Sequence, residues 1–507
     1  MNPGRGIPET LLSQFSDFIA ARMGLHFPRE RWCDLERGID SAARDFGQAD
    51  AQACIEWLMS HSLTKPEIEM LASHLTVGET YFFREEKSFA ALETHILPEL
   101  IRRRRDGEKY LRIWSAGCCT GEEPYSVAIL LSRMIPDLDD WTLTLLATDI
   151  NPRFLRKVSS GRYSEWSFRA TPSWIRERYF TRTADDRFEV DPRIRRRVAS
   201  SYLNLAEDVY PSLLNNTNAM DIIFCRNVLM YFSKERAQEV IHNLYRCLVE
   251  GGWLIVSPSE ASQVLFSEFV TVNYPGVILY KKDGAARHRR VGAPFPRWVE
   301  EPKVPFWPPI DAMMPEPTRR APAVAETQQA GDVGRKTEEP RPDPLGQAQV
   351  LYDQDHYDEA VETLQAALAR EPGNTEAMTL LARTLANQGK LAEALTWCEK
   401  AVTTGKLNPA SHYLLAIILQ ERGQAADAVA SLKRALYLDP DFALAHFALG
   451  NLVRQQGRHK ESERHFQNAL AILDRYPQDD RLPESEGITA GRLREIIRAA
   501  VPKEIAA

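Results

Sequence analysis

Among the seven cysteines of the chain (Cys33, Cys54, Cys118, Cys119, Cys225, Cys247 and Cys398) there is no CxxC pair, and no histidines cluster near them at zinc-ligand spacing. Neither a metal site nor a disulfide framework is expected, and a reducing cytoplasm is the predicted compartment. No run of about 18 apolar residues occurs, and the opening MNPGRGIPETLLSQF lacks a basic segment followed by an apolar one, so no membrane span and no secretion signal are expected. Positive charge is not in excess either. A formal net charge of −7 argues against generic nucleic-acid affinity. The glycines spell neither GxGxxG nor GxxxxGK[ST], which disfavours dinucleotides and nucleoside triphosphates as ligands.

What is present is ordinary globular composition, 44% hydrophobic and 26% charged over 507 residues, too long for a single core. From Glu9 to about His74 apolar residues recur at helical spacing (Leu12, Phe15, Phe18, Ile19; Ile55, Leu58, Met59; Ile68, Leu71), which predicts an all-helical domain over 1–75. A further helix carrying Phe89, Leu92, Ile96 and Leu100 then leads into LRIWSAGCCTGEEP, TLTLLATDIN, MDIIFCRNVLMYF and GGWLIVSPSE. Four short apolar runs separated by helical segments predict a doubly wound α/β domain over 76–282. Twelve prolines between Pro294 and Pro344 mark 283–343 as a linker, whose Trp298, Phe306 and Trp307 are expected to dock on a neighbouring domain or to meet a proline-recognising partner.

Beyond the linker the sequence repeats. HYDEAV, KLAEAL, QAADAV and RHKESE place Tyr357, Leu391, Ala425 and His459 34 residues apart, with Ala360, Ala394, Ala428 and Ser462 in step. That is the tetratricopeptide period, and small residues at the second position let paired helices approach closely. About four units fit in 344–476, followed by a helical tail over 477–507 whose Leu493, Ile496 and Ile497 are expected to cap the last unit.

Chemistry points to the first two strands of the α/β domain. SAGCCTGEEPYS takes a strand through a turn with Gly117 and Gly121 into a helix, presenting backbone N–H groups and a positive helix end. LTLLATDIN ends in Asp149, a carboxylate suited to accept hydrogen bonds from vicinal ribose hydroxyls. A nucleoside ligand without phosphates is consistent with both, and S-adenosylmethionine is one. Its cationic, amino-acid-bearing end calls for a carboxylate such as Glu122 or Glu123, although an acidic first turn is also favoured by the helix dipole alone. Cys118 and Cys119 read as small residues lining the turn.

VGETYFFRE (77–85), SAGCCTGEEPYS (115–126), ATDIN (147–151), YLNL (202–205) and FCRNVLMYF (224–232) match in order and spacing the signature blocks of the chemotaxis receptor methyltransferases, the CheR family. The resemblance covers about residues 10–282. It implies a Rossmann-like methyltransferase domain with a small β-subdomain, behind an all-α domain and ahead of an α-helical repeat solenoid. It also implies a protein-glutamate O-methyltransferase that uses S-adenosylmethionine and acts on the cytoplasmic domain of methyl-accepting receptors. Carried onto this sequence, it places Thr80, Arg84, Glu123, Asp149, Asn204, Leu205, Arg226 and Asn227 around the cofactor, and Arg84 and Tyr231 beside the acceptor glutamate. No metal is implied. A glutamate is already ionised near neutral pH, so the reaction asks for placement and dehydration rather than a strong base.

Three departures stand out. Relatives often carry Asn where this chain has Gly78; the segment RERWCDLERGIDSAARDFG dilutes with acids a stretch that is densely basic in the best-known members; and the β-subdomain turn TADD is shorter than the glycine-bearing loop of relatives that grip a receptor tail. The repeats are expected to compensate by docking a receptor, a signalling partner or the enzyme's own surface, so that deleting 345–507 would alter targeting more than transfer. Two other readings are a methyltransferase with another acceptor, and a repeat scaffold on an inactive methyltransferase domain.

Overall fold

The structure, a computed structural model, describes residues 7–105, 109–213, 215–284, 344–354, 356–485 and 488–500. The proline-rich segment with Trp298, Phe306 and Trp307 lies outside them. Four helices open the chain, Glu9–Met23, Trp32–Asp45, Ala51–Met59 and Lys65–Leu75. Their apolar stripes meet in one cluster, with Phe15, Ile19, Leu35, Ile39, Cys54, Ile55, Leu58 and Leu71 fully enclosed. Asp50 caps the third helix by accepting from the Ala53 N–H, and Thr64 with Glu67 forms a capping box on the fourth.

The central sheet is built from β1 (Tyr110–Ala116), β2 (Thr142–Asp149), β6 (Val198–Tyr202), β7 (Met220–Phe224), β8 (Leu248–Ile255), β9 (Val270–Tyr274) and β10 (Val277–Lys281). A small sheet takes β3 (Arg162–Tyr163), β4 (Phe180–Arg182) and β5 (Phe188–Val190). The large sheet runs β6-β2-β1-β7-β8-β10-β9, parallel as far as β8 and closed by an antiparallel hairpin. Both faces are covered, as parallel sheets require. Leu111 and Ile113 of β1 pack with Val127 and Leu130 of helix Glu122–Met134 on one side. Trp114 and Ala116 pack with Val240 and Leu244 of helix Lys234–Cys247 on the other. Four strands follow the apolar runs of the sequence. The other three were not legible there because β6 (VASSY) and β9 (VTVNY) are only half-buried and mostly polar, while β10 is an edge-proximal partner of β9.

The small sheet packs through an aromatic cluster in which Phe82 stands 4.8–4.9 Å, centroid to centroid, from Tyr163, Phe168 and Phe180. Its turn closes tightly, the Thr183 N–H donating to the Arg187 carbonyl at 2.8 Å.

Four helix pairs follow residue 343: Pro344–Asp353 with Tyr357–Arg370, Thr375–Asn387 with Leu391–Thr404, Pro409–Glu421 with Ala425–Leu438, and Ala443–Gln455 with His459–Leu473. Ala360, Ala394, Ala428 and Ser462 are buried at the matching position of each second helix. A last helix, Ala490–Ala500, sinks Leu493 and Ile497 into the core of the fourth pair. The array lies against the amino ends of the central strands. The Tyr110 hydroxyl donates to the Gly389 carbonyl at 3.1 Å, and the Arg112 guanidinium meets the Glu421 carboxylate at 3.6 Å with both side chains almost wholly enclosed. A Cβ at Gly389, whose φ is +76°, would stand 3.0 Å from Val249 Cγ1, so the repeat's turn glycine also allows the close approach. Leu213, on the loop entering β7, packs into the cores of both halves of the array, and Asn216 beside it faces Ile417, Gln420 and Phe447 on the first helices of the third and fourth pairs. The methyltransferase domain's own loop thus packs against the repeat array.

Candidate active site

The strand order reverses between β1 and β7, and in such sheets the crevice at the carboxyl ends beside the reversal is where ligands sit. A cavity of about 320 Å³ opens there, large enough for a nucleoside-sized ligand. Thr80, Arg84, Glu123, Asp149, Asn204, Leu205, Arg226, Asn227 and Tyr231 all line it. Sequence-distant motifs thus converge because each follows the end of a parallel strand or crosses above it.

Asp149 ends β2 with its carboxylate held by two backbone donors, the Cys119 N–H and the Asn151 N–H, each at 2.8 Å. Burial nonetheless outweighs these bonds and pushes its pKa up to about 6. Glu123, in the first turn of helix Glu122–Met134, accepts from Ser115 Oγ at 2.6 Å and from Arg226 Nη1 at 3.1 Å. Burial raises this carboxyl as well, against the opposing pull of Arg226. Arg226 also meets Glu85 at 3.0 Å and donates to the Arg84 carbonyl, so it locks three walls of the cavity together. Glu122 turns the other way, into a bonded set with Thr120 (2.5 Å) and Ser167 (2.9 Å). Of the two glutamates left open by the sequence, only Glu123 faces the cavity.

The strap Val77–Glu85 crosses the opening. Buried Phe82 and Phe83 pin it, their N–H groups donating to the Ser167 carbonyl and Ser126 Oγ at 2.9 Å each, and this leaves Thr80, Tyr81 and Arg84 toward the cavity. Arg84 Nη1 is steadied by the Glu79 carbonyl at 2.7 Å. Gly78 is tied to its surroundings too. A Cβ there would lie 2.7 Å from the Phe154 ring, which accounts for the departure at this position. Gly117 has φ +73° and its Cβ would come 2.5 Å from Val228, so this turn tolerates no side chain.

Tyr231 is half-buried at the rim, with the Arg31 guanidinium 5.4 Å from its ring centre. Burial raises its phenol, and the Arg31 and Arg84 charges oppose that rise. Cys118 and Cys119 line the turn as thiols whose ionisation burial suppresses, Cys119 to about 12.

Two contributions escaped the sequence reading. Glu260, in the turn after β8, accepts from the N–H groups of Asn227 and Val228 at 2.7 Å each and from Ser257 Oγ at 2.6 Å, holding Asn227 at a left-handed φ of 59°. The signal available was a lone acid in SPSE following an apolar run. The other is the roof supplied by the helical region, where Met23, Leu25, His26, Phe27 and Arg31 close the cavity and the His26 N–H donates to the Tyr231 carbonyl at 2.7 Å. Nothing local in those residues announces such a role.

The family model described as CheR methyltransferase, SAM binding domain, matches residues 78–274, and tetratricopeptide-repeat models match 345–411 and 418–457. Among curated relatives, a probable chemotaxis protein methyltransferase of Rhizobium etli is 34% identical over 43% of this chain and 80% of its own length. Chemotaxis protein methyltransferase 2 of Vibrio cholerae is 34% identical over 52% of this chain and 89% of its own. A probable biofilm formation methyltransferase, WspC, of Pseudomonas aeruginosa is 29% identical over 54% and 62%.

Proposed function

The chain belongs to the chemotaxis protein methyltransferase family, and from that premise we propose that it transfers a methyl group from S-adenosylmethionine to glutamate side chains of a chemoreceptor's cytoplasmic domain. The observation that carries this reading is the convergence of Asp149, Glu123, Arg84 and Tyr231 on one cavity. Its donor set suits the cofactor: the buried Asp149 and partly buried Glu123 carboxylates, amide side chains from Asn204 and Asn227, and a guanidinium at the strap. When bound, S-adenosylmethionine supplies an electrophilic methyl group on a sulfonium.

Asp149 would accept from ribose hydroxyls while its backbone donors keep it aimed. Glu123 and Asn227 would serve the amino-acid end from one side and Arg84 from the other; Thr80, Asn204, Leu205 and Arg226 would complete the walls. Arg84 and Tyr231 would orient the acceptor carboxylate. Because that acceptor is ionised already, the protein's task is alignment and exclusion of water, worth together on the order of 7–11 kcal/mol when the geometry is right. The working compartment is the cytoplasm in this reading. The likeness to a biofilm-formation methyltransferase favours a receptor of an alternative chemosensory system as the acceptor. The tight β-subdomain turn at 183–186 suits an enzyme that does not hold its receptor by a tail peptide.

The test is radiolabelled methyl transfer to membranes bearing the host's chemoreceptors. Base-labile label on receptor bands, absent with Asp149→Ala, is expected. Label resistant to base, or none while S-adenosylmethionine binds, would redirect the search to another acceptor.

A further inference from the structure

The last helix of the chain touches the wall of the cavity from behind. Helix Ala490–Ala500 is rooted in the repeat array by Ala490, Leu493 and Ile497, all fully buried, and Arg492 leaves it on the opposite side. Its Nη2 stands 2.8 Å from Glu207 Oε2, and its guanidinium lies 5.4 Å from the centre of the Tyr202 ring. The contacts fall on the last residue of β6 and on the segment that follows it. Tyr202 is paired with Asp149 in the β2–β6 register, and the Leu203 N–H donates to the Asp149 carbonyl at 3.3 Å. Glu207 in turn accepts from Asn204 Nδ2 at 3.3 Å and donates its N–H to the Asn204 carbonyl at 3.1 Å. Asn204, only 1% exposed, and Leu205 are cavity walls. Further ties hold the same segment: the Arg22 carbonyl accepts from Asn204 Nδ2 at 3.3 Å, the Ala206 N–H donates to Asn204 Oδ1 at 3.0 Å, the Tyr210 hydroxyl donates to the Leu205 carbonyl at 2.8 Å, and the Lys65 ammonium lies 4.5 Å from the Tyr202 ring centre.

We infer that Arg492 is a positioning residue for the cofactor pocket, acting through Glu207 to fix Asn204 and Leu205, so that the repeat domain sets cofactor affinity in cis. This rests on the reading of the cavity as the S-adenosylmethionine site. An ion pair of partial exposure, with Arg492 and Glu207 side chains 15% and 27% open, holds a neighbour by a modest amount. The effect on binding should therefore be roughly fivefold rather than complete.

The experiment uses the full chain and S-adenosylhomocysteine as probe, by titration calorimetry. Arg492→Ala should weaken binding about fivefold with an unchanged thermal midpoint, and Arg492→Lys should stay within about twofold of the parent, because an ammonium still reaches Glu207. Tyr110→Phe, which removes a repeat-domain contact far from the cavity, should bind as the parent does. Parent-like binding by Arg492→Ala overturns the inference, as does an equal loss in Tyr110→Phe, which would mean general loosening of the dock. Absence of binding by the unaltered chain would instead overturn the reading of the cavity itself, and the inference with it.

Discussion

Asp149 is a carboxylate asked to be charged in a place that resists charge. Burial sets its half-titration near pH 6, well inside the range of ordinary buffers. If the ionised form is the one that accepts ribose hydroxyls, S-adenosylhomocysteine affinity should be flat above about pH 7 and fall roughly tenfold per unit below pH 6. Asp149→Asn should bind more weakly and lose that slope, which calorimetry at four pH values would show. The stability effect of the same residue has the opposite sign. Its folded-state value is raised, so its contribution to folding is fully present below the unfolded value and is lost as pH rises through about 6. A fall in binding at pH 5 is thus not explained by this residue unfolding the protein, and a thermal midpoint measured alongside separates the two.

At the scale of elements, the site is a set of strand ends held in register by turns. The β1 turn is the tightest of them, because Gly117 is left-handed and faces Val228 from the loop after β7. Gly117→Ala should lower both the thermal midpoint and S-adenosylhomocysteine affinity. Adding Val228→Ala should recover part of the loss, since it relieves the clash but leaves a left-handed alanine costing about 1 kcal/mol. Full recovery would show that the backbone angle is unimportant. These strand ends were readable in advance because each carries its polar residues directly after an apolar run: Asp149 after LTLLAT, Arg226 and Asn227 after MDIIFC. Glu260 follows GGWLIVSPS in the same manner, yet its role is to bind backbone N–H groups of another loop, and a contact of that kind leaves no pattern in sequence. The roof of Met23–Arg31 was hidden for a related reason. Its apolar residues Met23, Leu25 and Phe27 also belong to the core of the helical region, and only the tertiary arrangement shows that they border a void.

For the whole molecule, the repeats are part of the enzyme's surface rather than an appendage. The expectation that deleting 345–507 would alter targeting more than transfer treats the array as a separate module, and here the array covers the amino ends of β1 and β2 and buries a charged pair across the junction. Periodicity revealed the repeats but carries no information on where they dock, and Arg112 reads simply as one polar residue in an apolar strand. Removing one member of an enclosed ion pair is costly, although Arg112 keeps bonds to Asn216 and Asn218. Glu421→Ala should therefore destabilise the full chain by about 3 kcal/mol, the low end for such pairs, as read by urea unfolding. A change below about 0.5 kcal/mol would mean that the junction is solvated.

Solenoids ordinarily gain and lose units freely, since each contacts only its neighbours. Here the second and third units are fastened to the strands through Gly389 and Glu421, while the helix beyond the fourth is fastened to Glu207. The array is therefore a ruler laid between two fixed marks. One more 34-residue unit inserted after the third would leave the first mark in place and carry Arg492 past the second, so in this protein the number of repeats is itself under constraint.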